Sequence, residues 1–151
     1  MAVGLSRQGG RAWQVWLLAC CLALPGCIPY PIYKQLQPQT RVRVVDPAGA
    51  PLAGASVTLV ANTYPYGREH HRETLATGAA GEVVFSARRE WRAETLFIHG
   101  AQVFVWRLCI AKPGYATHLT LPEGAADFDA DATIALQPGA TVPCPPRDEP
   151  F

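Results

Sequence analysis

The sequence predicts an all-β domain, an antiparallel sandwich of seven short strands. Apolar and polar residues alternate along short segments of the chain, and Gly and Pro occur between these segments at the spacing expected of turns. Hardly any segment repeats its apolar residues with the period of a helix. With 151 residues, the chain is long enough for one domain with a substantial core.

The predicted strands begin at residue 40. In Thr40–Val45, two arginines alternate with valines, so that one face is polar and the other apolar. The strongest candidate is Val103–Ala111, in which Phe104, Trp106, Leu108 and Ile110 alternate with Val103, Val105, Arg107 and Cys109. The other predicted strands are 55–62, 82–86, 115–121 and 132–136, with a weaker candidate at 95–99. Residues 87–94 are expected to form at most one helical turn.

Three stretches occur in a characteristic order: VRVVDPAGAPLAGASVTLV, then TGAAGEVVF, then CIAKPGYATHLTL closing on IALQPG. Together they resemble the carboxypeptidase regulatory-like domain over about residues 40–139. The resemblance implies a transthyretin-like, Ig-like sandwich of seven strands. It also implies a non-catalytic role, because such domains are usually accessory binding or spacing units. The connection 63–76 and the segment 87–102 are longer than the family pattern.

The first 26 residues have the composition of an export signal. Arg7 and Arg11 are their only charged residues, and an apolar stretch follows at 12–24. This stretch of about 13 residues falls short of the roughly 20 that a membrane-spanning helix needs. We therefore expect residues 1–26 to be a cleaved signal peptide.

The end of that segment, Leu24-Pro25-Gly26-Cys27, resembles the lipobox of bacterial lipoproteins, with Pro25 as a departure from the usual pattern. The resemblance implies cleavage before Cys27 and acylation of Cys27, so that the protein contacts the membrane through a lipid anchor. Ile28 in place of Asp implies sorting to the outer membrane of a Gram-negative bacterium, where we expect the periplasmic face. The alternative is a soluble exported protein in which Cys27 is a thiol.

The residues that flank the predicted domain are rich in proline. Residues 27–39 are expected to form a tether, which in polyproline-like form reaches roughly 35–40 Å. Residues 140–151 are expected to be a C-terminal tail. Residues 27–151 retain 11 of the 13 basic residues and all 12 acidic ones, a formal net charge of −1. No basic cluster is present, so a nucleic-acid partner is not expected.

The segment 63–74, TYPYGREHHRET, holds the candidate binding residues Tyr64, Tyr66, His70 and His71. Aromatic rings with polar tips are common at recognition sites, so we expect this loop to contact an envelope protein or glycan. The plainer interpretation is a solvated hairpin extension. A weaker alternative is a metal-dependent enzyme, because His70, His71 and Glu73 match the H-x-x-E spacing of zinc carboxypeptidases. Such a site needs a third ligand, for which His99 and His118 are candidates.

Two further metal sites are considered and disfavoured. Intradiol dioxygenases bind ferric iron with two Tyr and two His, but their ligands are well separated in sequence, whereas the four loop residues lie within eight positions. Asp127, Asp129 and Asp131 suggest a calcium loop, but the chain lacks the Gly at position 6 and the Glu at position 12 that an EF-hand needs, counted from Asp127. The three aspartates are expected to form a solvated strand edge. No cofactor is predicted.

Cys109 and Cys144 are the two other cysteines that remain after processing, and export would allow them to form a disulfide. Alternation places Cys109 on the face opposite Phe104 and Trp106, where the tail after the last strand can reach it. Closing this loop would stabilise the fold by roughly 3–4 kcal/mol in the chain-entropy model. Two free thiols and an intermolecular bridge are the alternatives.

Overall fold

The computed structural model describes residues 29–64, 68–95, 102–121 and 125–147. These residues form nine β-strands and a short 3-10 turn, Ala125–Asp127, and they contain no α-helix. The strands are β1 Pro29–Gln37, β2 Thr40–Val45, β3 Ser56–Tyr64, β4 Arg68–Ala76, β5 Glu82–Phe85, β6 Arg88–Thr95, β7 Val103–Ala111, β8 His118–Leu119 and β9 Asp131–Ala135. In this described part of the chain no helix is long and apolar enough to span a membrane. The predicted signal peptide and Cys27 lie outside the described residues.

The chain divides into two compact units. The first comprises Met1–Ile32 and Arg92–Ala101, of which residues 29–32 and 92–95 are described. Within it the Tyr30 hydroxyl donates to the carboxylate of buried Glu94 at 3.5 Å. The second unit comprises Tyr33–Trp91 and Gln102–Phe151. β1 and β6 pair as a two-stranded ribbon whose strands run through both units.

Two sheets in the second unit share one apolar core. The first has the strand order β5-β2-β9, and the second has the order β4-β3-β7-β8. The buried cluster takes residues from both sheets: Val42, Val44, Ala55, Val57, Leu59, Val83, Phe85, Leu108, Ile110 and Leu136. Because the two sheets bury their facing sides against each other, this unit is a two-layer, all-β structure.

The alternation in the sequence determines which side chains enter this core. In β2, Val42 and Val44 are fully buried while the two arginines that alternate with them are exposed, as predicted. In β7, the predicted inner face places Phe104, Leu108 and Ile110 in buried positions. Cys109 on the opposite face of β7 is also buried, because this side of the second sheet is covered by the C-terminal tail.

The turn before β5 requires glycine. Gly81 has a φ of 72°, which side-chain-bearing residues rarely adopt. A Cβ at this position would lie 2.5 Å from the carbonyl oxygen of Val44 and 3.0 Å from the amide nitrogen of Leu52. The Gly81 carbonyl accepts a hydrogen bond from the amide of Val44 at 2.8 Å. This close approach connects the start of β5 to β2, and it explains the glycine that the sequence places here.

Both strands of the ribbon, β1 and β6, differ from the sequence-based expectation. Residues 28–39 are expected to lack regular structure, whereas Pro29–Gln37 form β1. Proline is tolerated here because a two-stranded ribbon has open edges on which a missing N–H donor costs little. Residues 87–94 are expected to contain a helical turn, whereas Arg88–Thr95 form β6, the partner of β1.

The strand set also differs from the seven antiparallel strands predicted. The described residues contain nine strands, and β2 pairs with β9 in parallel, with Val42 opposite Ala132 and Val44 opposite Ile134. The strand predicted at 115–121 is reduced to His118–Leu119, and Tyr115 forms an isolated bridge with Pro138. Of the weak candidate at 95–99, Thr95 ends β6 and the remainder lies outside the described residues.

Candidate functional site

The predicted binding loop is an extension of the β3–β4 hairpin. Tyr64 ends β3 with 66% of its surface exposed, whereas Tyr66 lies outside the described residues. The pairing of β3 with β4 shifts between Ala61 and Asn62, so that His71 is opposite Ala61 and Glu69 is opposite Asn62. His70 is therefore the extra residue of a β-bulge. Both histidines are half-buried and lie on β4.

His70 packs against an aromatic side chain. Its ring lies edge-on to the ring of Phe104, with 5.4 Å between the centroids. The ammonium of Lys34 lies 5.9 Å from the centroid of the same phenyl ring.

His71 has an arginine as its nearest polar neighbour. Its Nε2 lies 3.1 Å from a terminal guanidinium nitrogen of Arg88. Burial, followed by the positive charge of Arg88, lowers the pKa of the His71 imidazole below its ordinary value of 6.5. Glu73 accepts a hydrogen bond from the side-chain amide of buried Gln37 at 3.3 Å. His70, His71 and Glu73 thus contact different partners.

The structure assembles no metal site from these residues. No three His, Cys, Asp or Glu side chains in the described ranges are grouped as metal ligands. His118, one of the suggested third ligands, lies in β8 opposite Ile110, and His99 lies outside the described residues. The described residues therefore give no support to the weak metal alternative.

The three aspartates lie on different local structures. Asp127 ends the 3-10 turn, and Asp131 begins β9. Asp129 accepts a hydrogen bond from the amide of Asp131 at 2.9 Å, so its carboxylate shapes the turn into β9. All three side chains are exposed, as expected of a solvated edge, but they do not share the face of one strand.

An open cleft between the two sheets was not predicted from the sequence. It has a volume of about 570 Å³ and lies between the β7–β8 side of the second sheet and β9 of the first. Leu108, Leu121, Ala132 and Ile134 supply apolar lining, and Thr120, Thr133, Asp127 and Asp129 supply polar atoms. Leu108 lies in β7 and the other lining residues lie between Thr120 and Ile134, so the cleft forms only where these segments meet in the fold.

The C-terminal tail is fastened to the outer face of the second sheet. Cys109 and Cys144 form a disulfide with 5.9 Å between their Cα atoms, in agreement with the predicted pairing. Arg72 donates to the carbonyl oxygen of Pro145 at 2.8 Å. Glu69 accepts hydrogen bonds from Arg72 at 2.6 and 3.0 Å and from Arg147 at 3.2 Å. The tail is therefore ordered by one covalent bond and a small charged network.

Comparison with protein-family models, curated proteins and solved structures finds no match for this chain.

Proposed function

We propose that the protein is a lipid-anchored, non-catalytic binding module of the bacterial envelope, and that the cleft between the sheets holds its ligand. The observation that carries the binding role is the cleft of about 570 Å³, which combines aliphatic lining with two carboxylates. Clefts of this size with few polar groups are the usual form of ligand sites. We interpret the two-layer unit as a transthyretin-like sandwich of the carboxypeptidase regulatory-like type.

Two features support export and anchoring. The lipobox-like sequence ending at Cys27 provides the acylation site, and Ile28 directs the product to the outer membrane. The Cys109–Cys144 disulfide fits an oxidising compartment, such as the periplasm. Together they favour a protein attached to the periplasmic face of the outer membrane.

The lining of the cleft indicates the chemistry of the partner. Leu121 and Ile134 provide an apolar surface, and Asp127 and Asp129 attract cations and hydrogen-bond donors. A segment of an envelope protein with apolar and basic side chains fits this combination. A glycan fits it less well, because the lining residues that the structure describes include no aromatic ring on which a sugar would stack.

The anchor is tested by the intact mass of the protein purified from bacterial membranes. The expected mass is that of residues 27–151 plus acyl chains, and a Cys27→Ala variant is expected to remain uncleaved or without lipid. Protein of the processed length without acyl chains would contradict the anchor.

The cleft is tested by photocross-linking in cells that express the protein. A photoreactive amino acid replaces Leu121 in the cleft, and Val142, which is 60% exposed in the tail, serves as the matched control position. We expect a discrete protein adduct from position 121 alone, reduced by Asp127→Asn with Asp129→Asn. Adducts from both positions, or from neither, would contradict binding in the cleft.

The competing hypothesis is a metal-binding protein or metal-dependent enzyme that uses His70 and His71. The contacts of His71 with Arg88 oppose it. Metal analysis of the purified protein provides the direct comparison. Stoichiometric zinc or iron that is lost in a His70→Ala, His71→Ala variant would favour this competitor over the binding module.

A further inference from the structure

We propose that one face of the β1–β6 ribbon, formed by Tyr33, Gln35, Arg89 and Trp91, lies on the surface of an anionic lipid bilayer. This proposal rests on the lipid anchor of the proposed function. It adds a second membrane contact, made by protein side chains, and it defines which side of the domain faces the lipid.

The aromatic face consists of side chains that alternate along two paired strands. Tyr33 and Trp91 lie with ring centroids 5.3 Å apart and their planes inclined at 45°. Arg89 donates to the side-chain oxygen of Gln35 at 3.1 Å. Since successive side chains of a strand point to opposite sides, these four residues share one face of the ribbon.

Both rings of the aromatic face are largely exposed. Trp91 has 70% of its surface accessible, the largest value among the described large apolar side chains, and Tyr33 has 53%. Such exposure leaves apolar ring surface in water. Trp and Tyr with an apolar body and a polar tip are favoured at the headgroup level of a bilayer, where both parts are accommodated.

The charges on the ribbon fit an anionic surface. The four residues of the aromatic face include one cation, Arg89, and no anion. Glu90 points to the other side of β6, where Arg88 contacts His71. A basic residue held near anionic lipid strengthens the attraction to the membrane about fivefold.

The length of chain after the anchor allows this face to reach the membrane. Only Ile28 lies between Cys27 and the start of β1 at Pro29, so the Cα atoms of Cys27 and Pro29 are at most about 7 Å apart. Tyr33 is four residues further, or about 13 Å along a strand. If the ribbon lay along the membrane surface, Tyr33 and Trp91 would enter the interfacial layer.

The test uses the acylated protein in vesicles of phosphatidylethanolamine and phosphatidylglycerol. Of the four tryptophans, Trp13 and Trp16 leave with the signal peptide, so processed protein contains Trp91 and Trp106. Subtracting the emission spectrum of a Trp91→Phe variant from that of the wild type isolates the emission of Trp91. Trp91 is largely exposed, so this substitution leaves the core unchanged. Phospholipids brominated close to the headgroup or close to the chain end report its depth.

We expect Trp91 emission at a shorter wavelength than in water and stronger quenching by the shallow bromines than by the deep ones. A Tyr64→Trp, Trp91→Phe variant is the matched control, because Tyr64 is similarly exposed but lies at the end of β3. This control is expected to remain unquenched. The residual emission of Trp106 is the common background in both variants.

Each outcome decides the proposal. Acylated protein with unquenched Trp91 overturns the aromatic face but leaves the anchor intact. Equal quenching at positions 91 and 64 also overturns it, because the domain would then touch the bilayer without a preferred side. Intact mass of the same sample reports acylation, and absence of acyl chains would overturn the proposed anchor together with this inference.

Discussion

Loss of the disulfide is expected to destabilise the fold by about 4 kcal/mol. The bond joins Cys109 in β7 to Cys144 in the tail, 35 residues apart. In the chain-entropy model, a loop of this length removes about 13 cal/mol/K from the unfolded chain, or about 3.8 kcal/mol at 25 °C. Cys144→Ser removes the bond and leaves a small polar side chain at a half-buried position.

Tail contacts that do not depend on the disulfide limit any further loss of folding stability in the variant. The Thr141 hydroxyl donates to the carbonyl oxygens of Lys112 and Tyr115 at 2.7 and 2.8 Å, and the Val142 amide donates to Thr117 at 2.9 Å. These contacts, with the hydrogen bonds of Arg72, keep the tail on the sheet in the variant. We therefore expect the folded structure to persist, with the stability change arising mainly in the unfolded state.

The assay is urea denaturation of residues 28–151, followed by circular dichroism. With an m-value of about 2 kcal/mol/M, the midpoint of the variant is expected to fall by about 2 M. Wild type in excess reductant is the control, and its midpoint is expected to match that of the variant. The variant itself is expected to be insensitive to reductant.

Two results would refute this reasoning. If Cys144→Ser lowers the free energy of unfolding by less than about 1 kcal/mol, the loop between Cys109 and Cys144 is already restricted in the unfolded chain without the bond. A midpoint of wild type that does not respond to reductant, with two free thiols by mass, would show that the pair is not bonded in the protein.

Two other predictions concern a turn and a titrating group. Gly81→Ala is expected to destabilise the fold by at least twice as much as Gly49→Ala. Both glycines have positive φ, which costs about 1–2 kcal/mol for alanine. Only at Gly81 would the added Cβ also meet backbone atoms. Equal losses in urea denaturation would contradict this. Because the pKa of His71 is lowered in the folded state, the unfolded chain binds the proton first as pH falls below 6.5. Stability is therefore expected to decline as the pH falls through 6.5, and a smaller decline in a His71→Gln variant would identify His71 as the source. An unchanged pH dependence of stability in that variant would refute the assignment to His71.

Local alternation predicted the strands that lie in the core. β2 and β7 are each packed against the opposite sheet through one face, so their apolar residues recur with a period of two. The turn glycines were also predictable, because a positive φ at Gly81 or Gly114 leaves few other residues possible. The Cys109–Cys144 pairing followed from the same alternation, since it placed Cys109 opposite the core face.

The ribbon and the cleft depend on contacts that no local pattern records. The burial of Gln37 in β1 is accompanied by hydrogen bonds to Glu73 and to the carbonyl oxygen of Ser86, both distant in sequence. The charged and polar sequence of β6 gives no apolar period from which a strand can be predicted. The cleft arises where β8 and β9 lie at the edges of different sheets, so its lining is set by topology.

The extended structure of β1 changes how an anchor at Cys27 would hold the domain. The residues of β1 nearest the core are fixed: the Trp106 indole donates to the carbonyl oxygen of Leu36 at 2.7 Å, and both Leu36 and Gln37 are buried. A flexible tether through residue 39 would let the domain sample a height of roughly 35–40 Å above the lipid. With β1 starting at Pro29, only Ile28 separates this strand from an anchor at Cys27. An anchored domain of this kind would meet partners close to the membrane, so its ligand is expected to be an envelope component that itself approaches the lipid surface.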